Sequence, residues 1–329
     1  MAEKLSLTLA CGDYEIVRPL ITGKVQVDGV DLTILSDMDS ATRHWRFLRN
    51  NEFDIAEVSG SSYLAARDND WSFRAIPVFL HRRFRHGFMF INTGKGINKP
   101  ADLKGRKIGV KTLMTTAVLW MRGILQNEYG VPLNSIEWVA ELDNDVDVQP
   151  PAGIKYRLLT KEKSVETMLA EGELDAVFHS DFVKPFLAKD PRVARLFPDN
   201  KAEEMAYYQR TGIFPIMHVT GIRKVIAQEH PWLAVNLFRA FNEAKAIAMK
   251  RMANPRIVPL AWYRAAWEEQ EHVLGPDPWE YGLTDKNRTN LETLVGYSHE
   301  QGLIKKRPTL EQLFLNVDQG FKRGGEYRI

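Results

Sequence analysis

Three arginines and two histidines fall within six consecutive positions of the stretch Pro77-Val-Phe-Leu-His-Arg-Arg-Phe-Arg-His-Gly-Phe-Met-Phe-Ile-Asn92, between two apolar runs that read as strands. Arg82, Arg83 and Arg85 offer planar, fork-shaped donors that match a carboxylate, and His81 and His86 are the side chains best suited to moving protons near neutral pH. The segment points to an organic acid as ligand. Its plain alternative is a solvated hairpin turn with one structural histidine.

Two further groups of residues belong with this cluster. Glu57-Val-Ser-Gly-Ser-Ser62 closes a strand-like run, and Leu113-Met-Thr-Thr116 opens a helix-like one. Ligands of open α/β sheets sit at the carboxyl ends of strands beside helix amino termini, so Ser59, Ser61, Thr115 and Thr116 are candidate substrate contacts, with plain helix capping as the other role of the threonines. His218 ends a second apolar run and is a candidate acid or base, or a buried histidine bonded to a carbonyl. His179 reads as structural. Glu57, His86 and His218 are residue types that bind zinc or iron, but the neighbouring arginines oppose a cation, and no metal is expected. Cys11 is the only cysteine in the chain, which excludes an internal disulfide, and it reads as a small apolar residue at a strand end.

The elements that must position these groups alternate between β and α. Leu5–Ala10, Asp31–Leu35, Phe53–Val58, Arg74–Leu80 and Gly87–Asn92 read as strands, with a helix over Ala41–Asn50, and the Gly/Lys/Pro-rich stretch Thr93–Pro100 reads as a hinge. A second βαβ set follows. It has a strand over Arg106–Val110, a helix over Thr115–Tyr129, a surface loop over 143–153, a helix over Ser164–Gly172 and a strand over Asp175–His179. Ile213–Ile222 then returns the chain to the first unit, and Trp232–Met252 is the longest helix. The expected architecture is α/β with two lobes, a central cleft and two hinge crossings. Residues 1–92 and 213–329 form one lobe and 96–210 the other. With 329 residues, 44% of them hydrophobic, the chain can bury cores of this size. A formal charge of +2, from 44 basic and 42 acidic residues, recruits neither nucleic acid nor membrane. The amino terminus makes a poor secretory segment, which with the lone cysteine places the protein in the cytoplasm. A homo-oligomer is compatible with the sequence but not specified by it.

The chain resembles the 4,5-dihydroxyphthalate decarboxylases, bacterial enzymes on the fold of type 2 periplasmic solute-binding proteins. The resemblance runs almost end to end. It is carried by Ala10-Cys-Gly-Asp-Tyr14, Phe53-Asp-Ile-Ala-Glu-Val-Ser59, Ser61-Ser-Tyr63, Ile76-Pro-Val-Phe79, Phe84-Arg-His86, Trp120-Met-Arg-Gly-Ile-Leu125, Thr211-Gly-Ile-Phe-Pro-Ile-Met-His218 and Tyr297-Ser-His-Glu-Gln-Gly-Leu303. Pro100–Val110 is shared with the wider binding-protein superfamily, and Gly60 stands where that family carries a larger apolar residue. The resemblance implies non-oxidative loss of carbon dioxide from a hydroxylated aromatic dicarboxylate, 4,5-dihydroxyphthalate giving protocatechuate, with no cofactor. A base draws the phenolic proton and an acid protonates the carbon that bears the carboxylate. His86 and His218 are the expected pair, with Glu57 a third candidate if burial raises its pKa, and Arg82, Arg83 and Arg85 would hold the carboxylate that stays. The alternative is a non-catalytic solute-binding protein for an aromatic acid.

Overall fold

The structure, a computed structural model, describes residues 4–317 except 70, 145, 147, 149–152, 161 and 162. The expected 143–153 loop therefore lies largely outside the described residues. The first sheet has the order β2-β1-β3-β11-β4, formed by β1 (Leu5–Ala10), β2 (Val30–Leu35), β3 (Ile55–Ser59), β4 (Phe73–Ile76) and β11 (His218–Arg223). β1 runs parallel to β2 and β3, whereas β11 is antiparallel to β3 and β4. The second sheet has the order β10-β5-β9-β6-β7-β8, formed by β5 (Met89–Asn92), β6 (Lys107–Val110), β7 (Glu137–Ala140), β8 (Lys155–Leu158), β9 (Ala176–Phe178) and β10 (Val193–Arg195). Helices pack on both sheets, so central strands such as β3 are buried along their whole length and read as near-continuous apolar runs.

The chain leaves the first sheet after β4 and returns to it at β11. The two crossings run side by side. Arg82 and Ile216 form an antiparallel bridge, Arg83 N donates to Pro215 O at 3.1 Å, and Met217 N donates to His81 O at 2.9 Å. This moves the first crossing upstream of where the sequence reading put it. β5 was expected with the first lobe, yet Met89, Phe90 and Ile91 pair with Phe178, Val177 and Ala176 in the second sheet. Thr93–Pro100 is then not a hinge but a pair of 3-10 turns at the edge of the second lobe. An apolar strand buried on both faces carries no local mark of which sheet it joins.

The Trp232–Met252 helix forms where its periodicity places it, burying Leu233, Leu237, Phe241, Ala244 and Ala248 at i, i+4 and i+3 spacing. Further contacts join the lobes, one of them to the second crossing itself. Gln301 Nε2 donates to Leu119 O at 3.0 Å, Trp120 Nε1 donates to Ile216 O at 2.9 Å, and Trp120 lies 5.5 Å from Tyr297. A Cβ on Gly123 would come within 2.1 Å of the Tyr297 ring, so the Thr116–Asn127 and Asp285–Glu300 helices approach this closely only because position 123 has no side chain. Among the described residues no helix is long and apolar enough to cross a membrane.

Candidate active site

Glu57 sits in the middle of β3 with no solvent exposure. A carboxylate in that position is tolerated only with a full set of donors. Four surround it: Gly12 N at 2.9 Å and Arg43 Nη2 at 2.7 Å on Oε2, and Tyr14 Oη at 2.9 Å and His218 Nδ1 at 2.6 Å on Oε1. They come from three places in the fold. Gly12 and Tyr14 follow β1, and a Cβ at Gly12 would meet the Tyr14 ring at 2.5 Å, so the glycine lets Tyr14 fold back over the carboxylate. Arg43 projects from the Ser40–Asn50 helix, whose start is capped by Asp39 accepting from Thr42 N at 3.0 Å. His218 opens β11 opposite Ser59.

Burial acts to raise the Glu57 pKa. The charge His218 carries when protonated and its hydrogen bond, together with Arg43, outweigh it and hold the carboxyl well below the usual carboxylate range. The condition under which Glu57 would serve as the acid is therefore not met. As an anion Glu57 can only accept, so Nδ1 of His218 carries the hydrogen and Nε2 is left to face a reacting group. Burial, and next Glu57, push the Tyr14 phenol up, so it stays protonated as a donor. Burial, and next Glu57, likewise push the Cys11 thiol up to about 12, which removes it as a nucleophile near neutrality.

Two more histidines ring His218. His44 is edge-on to it at 4.8 Å, and burial, then the neighbouring His218 and Arg43, hold His44 neutral. His81 is also edge-on at 4.8 Å and lies 6.0 Å from the Tyr14 ring. Burial, followed by His218 and Arg85, lowers His81 to about 2.

Arg85 completes the group. Its Nε contacts Met217 Sδ at 3.0 Å, immediately before His218, and its Nη1 donates to Ser180 O at 2.8 Å. It is buried, and among the described residues no carboxylate lies within ion-pair distance of it. Burial, then the charge of Arg83, lowers its pKa to about 9, which leaves it cationic at neutral pH. Arg83 is half exposed, 3.6 Å from Asp181, and shares the Phe88 ring with Arg85 at 5.1 and 5.4 Å.

The remaining sequence candidates divide. Ser59, Ser61 and Thr116 form one hydroxyl knot across the lobes, with Ser59 Oγ to Thr116 Oγ1 at 2.7 Å, Ser61 Oγ to Thr116 Oγ1 at 3.0 Å and Ser61 N donating to Thr116 Oγ1 at 3.0 Å. Thr115 instead bonds Thr112 at 2.5 Å. Arg82 turns away from Glu57, donating to Glu280 O at 2.8 Å and Asn287 Oδ1 at 2.5 Å beside a small hollow lined by Asp277, Lys286 and Asn290 that includes none of the Glu57 group. His86 is not brought to His218. It lies in an aromatic cage of Tyr129, Phe197 and Tyr207 in the second lobe, neither ring nitrogen is hydrogen bonded, and burial followed by Arg210 lowers it to about 4. Among the described residues no three histidine, cysteine or carboxylate side chains are grouped to hold a metal.

Sequence reasoning did not single out Tyr14, Arg43 and His44. The signal for Arg43 and His44 was present. They share the buried stripe of their helix with Phe47 and Leu48, and charged or polar groups in an apolar stripe require partners.

Comparison with known proteins agrees with this architecture. Residues 30–195 match the family described as "ABC transporter, phosphonate, periplasmic substrate-binding protein". The chain is 35% identical over 320 residues to a 4,5-dihydroxyphthalate decarboxylase of Comamonas testosteroni, covering 94% of this chain and 96% of that one. It is 35% identical over 214 residues to one of Pseudomonas putida, covering 63% and 82%. Among solved structures, the aliphatic sulphonate-binding protein SsuA of Escherichia coli superposes with a TM-score of 0.57 at 11% identity, covering 95% of this chain and 98% of that one. The desulfurization enzyme DSZB does so with 0.54 at 15%, covering 94% and 96%. The fold is that of the periplasmic binding proteins, and the chain belongs to the 4,5-dihydroxyphthalate decarboxylase family.

Proposed function

We infer that the protein is a carboxy-lyase that removes one carboxylate, without oxidation, from a hydroxylated aromatic dicarboxylate, with 4,5-dihydroxyphthalate as substrate and protocatechuate and carbon dioxide as products. The observation that carries this reading is the buried Glu57–His218 contact at 2.6 Å beside Arg85, a buried guanidinium with no acidic partner among the described residues. Arg85 and Arg83 hold the carboxylate that stays, Arg85 as a planar fork. The para-related phenol then meets Nε2 of His218. Glu57 stabilises the imidazolium formed when that proton is taken, as an oriented carboxylate does for any histidine base. Electron density pushed onto the ring raises the basicity of the carbon bearing the second carboxylate, and protonation there releases carbon dioxide. The Ser59–Ser61–Thr116 knot ties the lobes together over the same region and helps exclude water.

The test is direct: purified protein and 4,5-dihydroxyphthalate, with release of carbon dioxide and appearance of protocatechuate followed together. Tight binding of the diacid without carbon dioxide release would replace this reading by that of an aromatic-acid binding protein.

A further inference from the structure

His81 is an unsatisfied polar group of the site. It lies on the first crossing, its ring is only partly buried, and its Nδ1 is buried with no hydrogen-bond partner. The titratable and charged groups that face it are Tyr14 from the turn after β1, Glu57 from β3, His218 from β11, and Arg83 and Arg85 from its own segment, with His44 behind His218. Glu57 is the one anion in this set, and its two oxygens are already taken by Gly12, Tyr14, Arg43 and His218. The site thus holds an imidazole that burial, and next His218 and Arg85, keep unprotonated against the weaker pull of Glu57.

A dicarboxylate reverses that balance. Two negative charges enter a site where the arginines neutralise about one, and a carboxylate beside an imidazole favours its charged form. We propose that His81 takes up a proton as the aromatic acid binds and delivers that proton to the ring carbon that loses its carboxylate. This rests on the decarboxylase reading above. In the step, the His81 N–H bond breaks and a C–H bond forms at the ring carbon. The C–C bond to the carboxylate then breaks with its electron pair returning to the ring, carbon dioxide leaves, and His218 returns the phenolic proton. One carboxylate and one proton become carbon dioxide and a C–H bond, so no oxidant or reductant is needed. His218 and His81, edge-on to each other with centroids 4.8 Å apart, thereby hold opposite roles in one turnover.

Calorimetric titration of the protein with phthalate, a dicarboxylate that lacks the phenols the reaction needs, in buffers of different ionisation enthalpy at neutral pH, reads the proton uptake. The expected result is net uptake of close to one proton in the wild type and none in His81→Gln, with turnover of 4,5-dihydroxyphthalate by that variant down about 10²–10⁴-fold while phthalate still binds. Wild-type binding without uptake, or uptake or turnover retained in the variant, overturns the proposal. Nitrogen-15 shifts of the His81 ring in the wild-type protein give the same answer without a variant. They should move from neutral imidazole to imidazolium on saturation with phthalate, and unchanged shifts refute it. Because phthalate is not turned over, protonation of His81 is read independently of turnover, so a protein that protonates His81 yet releases no carbon dioxide from 4,5-dihydroxyphthalate would sink the functional reading and not the ligand-linked protonation.

Discussion

Replacing Glu57 with Gln changes one atom type and leaves the shape of the site intact, so it isolates what the carboxylate contributes. Glu57 receives two donors on each oxygen. A glutamine can serve only one such pair. With its oxygen toward Gly12 N and Arg43 Nη2, its NH2 faces Tyr14 and His218, and His218 must turn its Nδ1 into an acceptor, moving the ring hydrogen to Nε2. The base then presents a donor where the phenol needs an acceptor. Loss of a positioned proton transfer is worth about 10²–10⁴ in rate, so turnover should fall by that factor while protocatechuate affinity holds or improves. Stability should fall as well, because Arg43 is buried and loses its anionic partner among the described residues, and breaking a buried pair from one side costs about 3–5 kcal/mol. The pH dependence supplies the check. Glu57 has a folded-state pKa below its unfolded value, so its stabilisation is present above the ordinary carboxylate pKa of about 4.3 and is lost as pH falls below it. Melting curves of wild type and variant should therefore lie far apart at neutral pH and converge in acid. A constant gap across that range, or a folded variant with near-normal turnover, would refute the reasoning.

Three other perturbations separate the roles of neighbouring groups. Arg85→Lys keeps the charge but not the planar fork, and should raise the Michaelis constant more than tenfold, since a charge-assisted hydrogen bond in such a site is worth about 1.5–3 kcal/mol; an unchanged constant removes Arg85 from the clamp. His86→Phe should leave turnover intact and make the protein more resistant to acid: a buried histidine lowered to about 4 must be charged on unfolding, so it lowers stability progressively between its ordinary pKa of about 6.5 and about 4, by about 3 kcal/mol in full, and acid melting curves that match the wild type would contradict this. Gly123→Ala drives a methyl into the Tyr297 ring between the lobes and should destabilise the protein by about 1–3 kcal/mol or more; an unchanged midpoint in urea would show that the helices separate freely.

The parts of this molecule that were legible in the sequence are those fixed by local pattern. Trp232–Met252 is a helix at both expected ends because its apolar positions recur at helical spacing over 21 residues. Ser164 caps its helix as its residue type suggests, accepting from Thr167 N at 3.2 Å. What could not be read locally was membership. The runs Phe73–Ile76 and Met89–Asn92 look alike, yet they enter different sheets, and only their partners at Thr220 and Phe178 decide it. The site shows the same division. Arginine chemistry at 81–86 is visible in the sequence, but neighbours in sequence are not neighbours in space here. The crossing sends Arg82 to Asn287, Arg85 to Met217 and His86 to Tyr207, so one cluster serves three environments. Arg43 and His44 were passed over because their value depends on Glu57 and His218, far along the chain.

The chemistry of the site also bears on whether a cleft of this fold retains its ligand or transforms it. A protein that only holds an organic acid needs donors that stay charged, and arginines with helix amino termini suffice. Glu57 works against such a purpose. It is a buried anion beside the position proposed for a carboxylate, where like charges oppose each other through a weakly screening interior. The histidines add nothing to anion affinity while neutral, and those held below their ordinary pKa, His44 and His81, lower stability in acid because they must charge on unfolding. These groups make sense together only if proton position matters. Glu57 fixes the hydrogen on Nδ1 of His218, Arg43 and Tyr14 keep Glu57 ionised and in place, and His81 stands edge-on to His218 with a free nitrogen. A binding protein would be left intact or improved by Glu57→Gln and a decarboxylase disabled by it, so on that one variant turnover must fall while affinity holds or improves if the site is built for removing carbon dioxide.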